Sequence, residues 1–104
     1  MAWIILLLAG LLEVVWATSM KASDGFTRLW PSVLTVTTMI GSFALLSIAV
    51  RTLPLGTSYM IWSGIGALGA FLTGIWLYAE DFTPMRILAA LLILAGIAMM
   101  KLGS

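Results

Sequence analysis

Three stretches without a single charged side chain, Leu29 to Val50, Thr52 to Ala79 and Ile87 to Met100, decide what this chain can become. A fourth, Met1 to Leu12, continues beyond Glu13 as a further apolar segment. Spans of about 20 apolar residues match the hydrocarbon core of a bilayer when coiled as helix. Only 9% of the 104 residues are charged, against about 25% in a water-soluble domain. The sequence therefore predicts an all-α membrane protein: one transmembrane domain over residues 1–104 with four helices. Met1-Ala2-Trp3 brings no basic region and no small-residue cleavage pattern follows, so no signal peptide is expected. With no cysteine and no histidine, disulfides, thiolate metal sites and imidazole proton relays drop out. A net charge of +1 offers nucleic acid no basic patch.

The polar breaks set the helix ends. Helix 1 is expected over about Ala2 to Met20, before Lys21-Ala-Ser-Asp-Gly25 with Gly25 as the stop. Pro31 suits the first turn of helix 2, and Arg28 and Trp30 suit headgroup depth. That helix should reach about Ala49. Leu53-Pro-Leu-Gly-Thr57 opens helix 3, which should end near Leu77. Thr83 and Pro84 read as N-cap and first residue of helix 4, expected over about Met85 to Lys101. Arg86 and Lys101 can snorkel to opposite interfaces.

One carboxylate breaks the apolar pattern. Twelve residues precede Glu13 and climb about 18 Å as helix, which sets it near the midplane. A charge there costs roughly 2.5–3.5 kcal/mol on the insertion scale. Asp24, Glu80 and Asp81 all lie in the polar breaks, so Glu13 is the ionisable group inside the membrane.

The neighbours of Glu13 at helical spacing are Ala9, Gly10, Trp16 and Ala17. On helix 2, Thr35, Thr38 and Ser42 form a hydroxyl stripe. On helix 3, Tyr59, Trp62, Ser63 and Gly66 share a face. Three helices can thus line a pocket around Glu13. Thr35 and Thr38 are expected to bond back to their own helix. Trp3, Trp30, Trp76 and Tyr78 suit interfacial belts; that role is open to Trp16 too, whereas Trp62 lies deeper. Gly64, Gly66 and Gly69 read either as close packing of helix 3 or as a hinge. On helix 4, Ala89, Leu92, Gly96, Met99 and Met100 suit a helix–helix contact, dimerisation included.

Four spans place Arg51 and Lys101 on one side of the membrane and Lys21, Arg28 and Arg86 on the other. Two basic residues against three give the positive-inside rule little hold. Either the protein simply has few charges, or it inserts both ways up. Inverted copies would form an antiparallel, dual-topology homodimer with its two-fold axis in the membrane plane, the symmetry that inverted repeats give larger transporters.

Taken together, Glu13 with Trp16, Gly25-Phe-Thr-Arg-Leu-Trp-Pro-Ser32 and Leu53-Pro-Leu-Gly-Thr-Ser-Tyr-Met-Ile-Trp-Ser-Gly-Ile-Gly-Ala67 closely resemble the small multidrug resistance family. The resemblance covers essentially the whole chain. It implies antiparallel homodimers of four-helix subunits in the bacterial inner membrane that export small organic cations in exchange for protons, without a cofactor. It maps the shared substrate and proton site to Glu13, and pocket residues to Ser42, Tyr59 and Trp62. Trp16 and Lys101 look like the guanidinium-exporting branch. Thr57-Ser58-Tyr59-Met60 departs from that branch's usual Thr-Ala-Tyr-Ala. Thr18-Ser19-Met20-Lys21 and the Phe26-to-Ser32 stretch lean toward the multidrug branch. A flexible Met60 at the pocket or the crevice between helices 2 and 3 would admit alkyl-substituted cations. Gly10, Met60, Ser63, Gly64 and Gly66 are accordingly candidate pocket or hinge positions. The rival readings are a broad quaternary ammonium exporter, a passive cation pore and a non-transporting membrane assembly protein.

Overall fold

A computed structural model describes residues 1–103. It contains four helices: α1 (Ala2–Ala22), α2 (Leu29–Ala49), α3 (Leu55–Tyr78) and α4 (Pro84–Leu102). All four are long and apolar enough to cross a membrane. At 1.5 Å per residue they measure about 29 to 36 Å, matching a hydrocarbon core of about 30 Å.

The ends follow local chemistry. α1 runs two residues past Met20, and Ser23 then closes it. The Ser23 hydroxyl donates to the Met20 carbonyl (2.6 Å) and accepts from the Phe26 amide (3.0 Å). Gly25 does not turn the chain alone: Asp24, Gly25 and Phe26 have φ of 51°, 72° and 66°. Only glycine adopts that region without cost, and Ser23 helps hold the other two there. α3 ends at Ala79 in the same left-handed conformation. At α4, the Thr83 hydroxyl accepts from the Arg86 amide (3.3 Å) and Pro84 opens the helix, as the sequence predicts.

α1 is the centre of the packing. It lies along both α2 and α3, while α2 and α3 barely touch one another and α4 rests on α3. Leu6, Ala9, Ala49, Ile61 and Trp62 form the buried core. Glycines let the backbones approach. A Cβ on Gly10 would come within 2.7 Å of Ile65, and one on Gly64 within 2.7 Å of Ile97. A Cβ on Gly69 would overlap Val14. Hydroxyl pairs add cross-links between helices, Ser19 to Thr35 at 2.8 Å and Thr18 to Thr73 at 2.9 Å. Thr35 and Thr38 also bond back to their own helix, to Pro31 and Leu34 (both 2.7 Å), as expected.

Helix 4 leaves its expected contact face open within one chain. It buries no residue. Its contact with α3 runs through Ile93 and Ile97, which meet the open backbone of Gly64. Leu92 and Met99 are exposed, and nothing lies within 4 Å of a Cβ built on Gly96. The small residue on α3, rather than the one on α4, sets the closest approach.

Aromatic and charged side chains collect at the two ends. At one, the Lys21 ammonium stands 5.3 Å from the Tyr78 ring centroid and 3.9 Å from a Glu80 carboxylate oxygen. At the other, Lys101 stands 5.4 Å from the Trp3 ring.

Candidate functional site

Glu13 lies on the face of α1 that meets α3. Its carboxylate is seated directly over Gly66, where a Cβ would overlap Oε1 and approach Cγ within 2.6 Å. The missing side chain of Gly66 is thus the seat of the carboxylate. Glu13 Oε1 is buried and has no hydrogen-bond partner, and the same holds for the indole nitrogen of Trp16. Buried polar atoms are normally satisfied, and these two unpartnered atoms stand one helical turn apart. No basic side chain faces them: among the described residues the Glu80–Lys21 contact at the helix ends is the ion pair.

A file of rings flanks this pair. Trp16 meets Phe43 of α2 edge-on, with centroids 6.2 Å apart. Phe43 continues to Trp62 of α3 at 5.6 Å, and Trp62 to Tyr59 at 5.5 Å. Four aromatic side chains from three helices thereby form one continuous file, whose first ring, Trp16, stands one turn of α1 from the lone carboxylate. Tilted rings at these spacings leave faces available to a cation.

Ser42 plays a different part from an open pocket wall. It is fully buried. Its hydroxyl donates to the Ala9 carbonyl (2.7 Å) and accepts from the Trp62 indole N–H (3.0 Å). The single hydroxyl proton is spent on Ala9, so Ser42 holds Trp62 in place and ties α2 to α1 one turn before Glu13. Tyr59 is half exposed at the outer end of the file.

The remaining candidates divide. Gly66 belongs to the site, whereas Gly10 and Gly64 accommodate Ile65 and Ile97 and are occupied by packing. Ser63 is half-buried beside Trp62 in sequence. Met60 is 57% exposed and takes no part in the ring file, because adjacent helical residues diverge by about 100°. Sequence reasoning missed Phe43, the link between Trp16 and Trp62. The available signal was that it is the one aromatic residue of α2 beyond the first turn, next to Ser42.

Beyond the file, a cavity of about 550 Å³ opens in the gap between α2 and α3, with Thr18, Thr73, Trp30, Leu34, Leu77 and Tyr78 among its walls. This groove runs along α1 next to the site, and neither Glu13 nor any ring of the file lines it.

The sequence matches the Small Multidrug Resistance protein family over residues 1–93. It is 58% identical to a guanidinium exporter of Salmonella typhimurium strain LT2, 57% to one of Citrobacter freundii and 56% to one of Escherichia coli strain K12. Each match extends over 104 residues, all of this chain and 99% of the relative. With its four apolar helices, the protein is a multi-pass protein of the inner membrane, and it belongs to the small multidrug resistance family.

Proposed function

We propose that this protein exports guanidinium in exchange for protons, as an antiparallel dimer of inverted copies with Glu13 as the shared site. The observation that carries the reading is the Glu13 carboxylate, whose Oε1 is buried with no hydrogen-bond partner and no cation of its own protein to meet it. Guanidinium is planar, and its paired N–H donors match carboxylate oxygens. Ring faces from Trp16, Phe43, Trp62 and Tyr59 add cation–π attraction. The Trp16 indole N–H, also without a partner, donates to the carboxylate when that group turns toward it. The name borne by the aligned relatives points to the same cation.

One chain supplies one carboxylate beside an open groove and leaves α4 without a buried residue. A second, inverted copy closes the groove, covers the exposed Leu92–Met99 face of α4 and brings a second Glu13. Unneutralised carboxylates in hydrocarbon are costly, so either protons or the cation must occupy them, and the two compete for the same oxygens. A dimer that reorients only when occupied turns this competition into exchange. No covalent chemistry is involved, and the residues act by binding alone. Phe43 and Tyr59, both half exposed, leave room at the groove's edge for an alkyl substituent, so some singly substituted guanidiniums or hydrophobic ammoniums are carried as well.

The test is a proteoliposome assay under an imposed pH gradient. Guanidinium uptake should follow the gradient, outpace that of a bulky quaternary ammonium and vanish in Glu13→Gln. Preference for the quaternary ammonium would favour the multidrug reading, and flux without proton movement would favour a pore. No flux of either cation in a folded protein would favour an assembly factor.

A further inference from the structure

A crevice of about 310 Å³ lies between α1, α3 and α4, with Leu7, Ile61, Ile65 and Ile97 on its walls. Trp3 and Lys101, which also line it, stand where α1 begins and α4 ends, and so at headgroup depth. The Lys101 ammonium rests 5.4 Å from the Trp3 ring centroid. Charge is unevenly divided between the two ends of the molecule. Asp24, Glu80 and Asp81 lie in the α1–α2 and α3–α4 connections with Arg28, and Lys21 and Arg86 lie in the helix turns that adjoin them. The other end has Arg51 and Lys101, and no acidic side chain among the described residues. Among the described residues, Lys101 therefore has a ring beneath it and no carboxylate paired with it.

We propose that this crevice binds an acyl chain of an anionic phospholipid whose phosphate pairs with Lys101. The walls suit hydrocarbon and offer nothing to a polar ligand, and the ammonium repels the cations that the Glu13 site attracts. A phosphodiester at headgroup depth supplies the missing counter-ion. Basic residues at the bilayer surface draw anionic lipids in this way. The crevice runs from Trp3 to Leu7, about 6 Å of helix axis. An acyl chain is narrow enough to enter a crevice of this size.

Native mass spectrometry of the full-length protein, released from micelles doped with equal phosphatidylglycerol and phosphatidylcholine, tests this. The wild type should retain phosphatidylglycerol several-fold over phosphatidylcholine. Lys101→Gln should remove that preference and Lys101→Arg should keep it. Leu7→Trp, which fills the crevice from an exposed position, should lower retention of both lipids. Equal retention by the wild type, or an unchanged preference in Lys101→Gln, overturns the proposal. So does efficient photo-cross-linking to a second copy from a benzophenone attached at Ala98→Cys, which would assign the crevice to a second protein chain.

Discussion

Adding one methyl group at Gly66 should separate function from folding. In Gly66→Ala the new Cβ would occupy the place of the Glu13 carboxylate. The obstructing atoms are the far end of a flexible side chain, so the carboxylate can swing aside and the helices need not part. Overpacking of this kind costs about 1–3 kcal/mol. Where the cost falls on the bound geometry, it weakens guanidinium binding roughly 5- to 150-fold. Gly64→Ala is the matched control. Its Cβ would come within 2.7 Å of Ile97 and 3.6 Å of Ile93 on α4, so a similar strain falls on the α3–α4 contact, away from the carboxylate. Titration of guanidinium, followed by the fluorescence of Trp16 and Trp62 and by calorimetry, reads the affinity; thermal unfolding in detergent reads the stability. Gly66→Ala should lose affinity with little change in melting, and Gly64→Ala the reverse. A Gly66→Ala protein that binds guanidinium as the wild type does would refute the assignment of Gly66 as the seat of the carboxylate.

Ser42→Ala strands the Trp62 indole N–H, which is buried, and should cost about 1–3 kcal/mol of stability, seen as a lowered melting point and a shifted tryptophan emission. Competition between protons and cation predicts that the apparent affinity for guanidinium falls with falling pH. In the range where the empty site is protonated, the slope should be about tenfold per pH unit for each proton displaced; a flat profile from pH 5 to 8 would rule competition out. With Gly103→Cys in an otherwise cysteine-free chain, an impermeant thiol reagent should label part of the population from each side of the membrane. Labelling from one side only would fix a single topology.

The helices were legible because hydrophobic length is a blunt requirement. A charge-free run such as Thr52 to Ala79 has few other places to go, and Thr83-Pro84 marks its helix start by local chemistry alone. The Ser23 closure of α1 was less legible, since two non-glycine residues take up positive φ there. At the site, the isolation of Glu13 was visible as a missing counter-charge in the sequence. Its seat was harder to see, because Gly66 could equally have been a hinge or a packing notch, and only the register of α1 against α3 decides. Phe43 was missed for a related reason: an aromatic residue in an apolar helix has no distinguishing pattern until its neighbours across the bundle are known. The same applies to α4, where small residues at regular spacing suggested a contact face that the chain leaves open.

The packing order of the helices has a mechanical meaning. α1 is a spine along which α2 and α3 lie as two leaves that barely touch each other. Glu13 and Trp16 sit on the spine, and Phe43, Trp62 and Tyr59 sit on the leaves. The Trp62–Ser42 hydrogen bond is the stitch between the leaves, and it lies one turn of α1 from the carboxylate. Opening the leaves therefore changes what surrounds the charge without moving the charge itself.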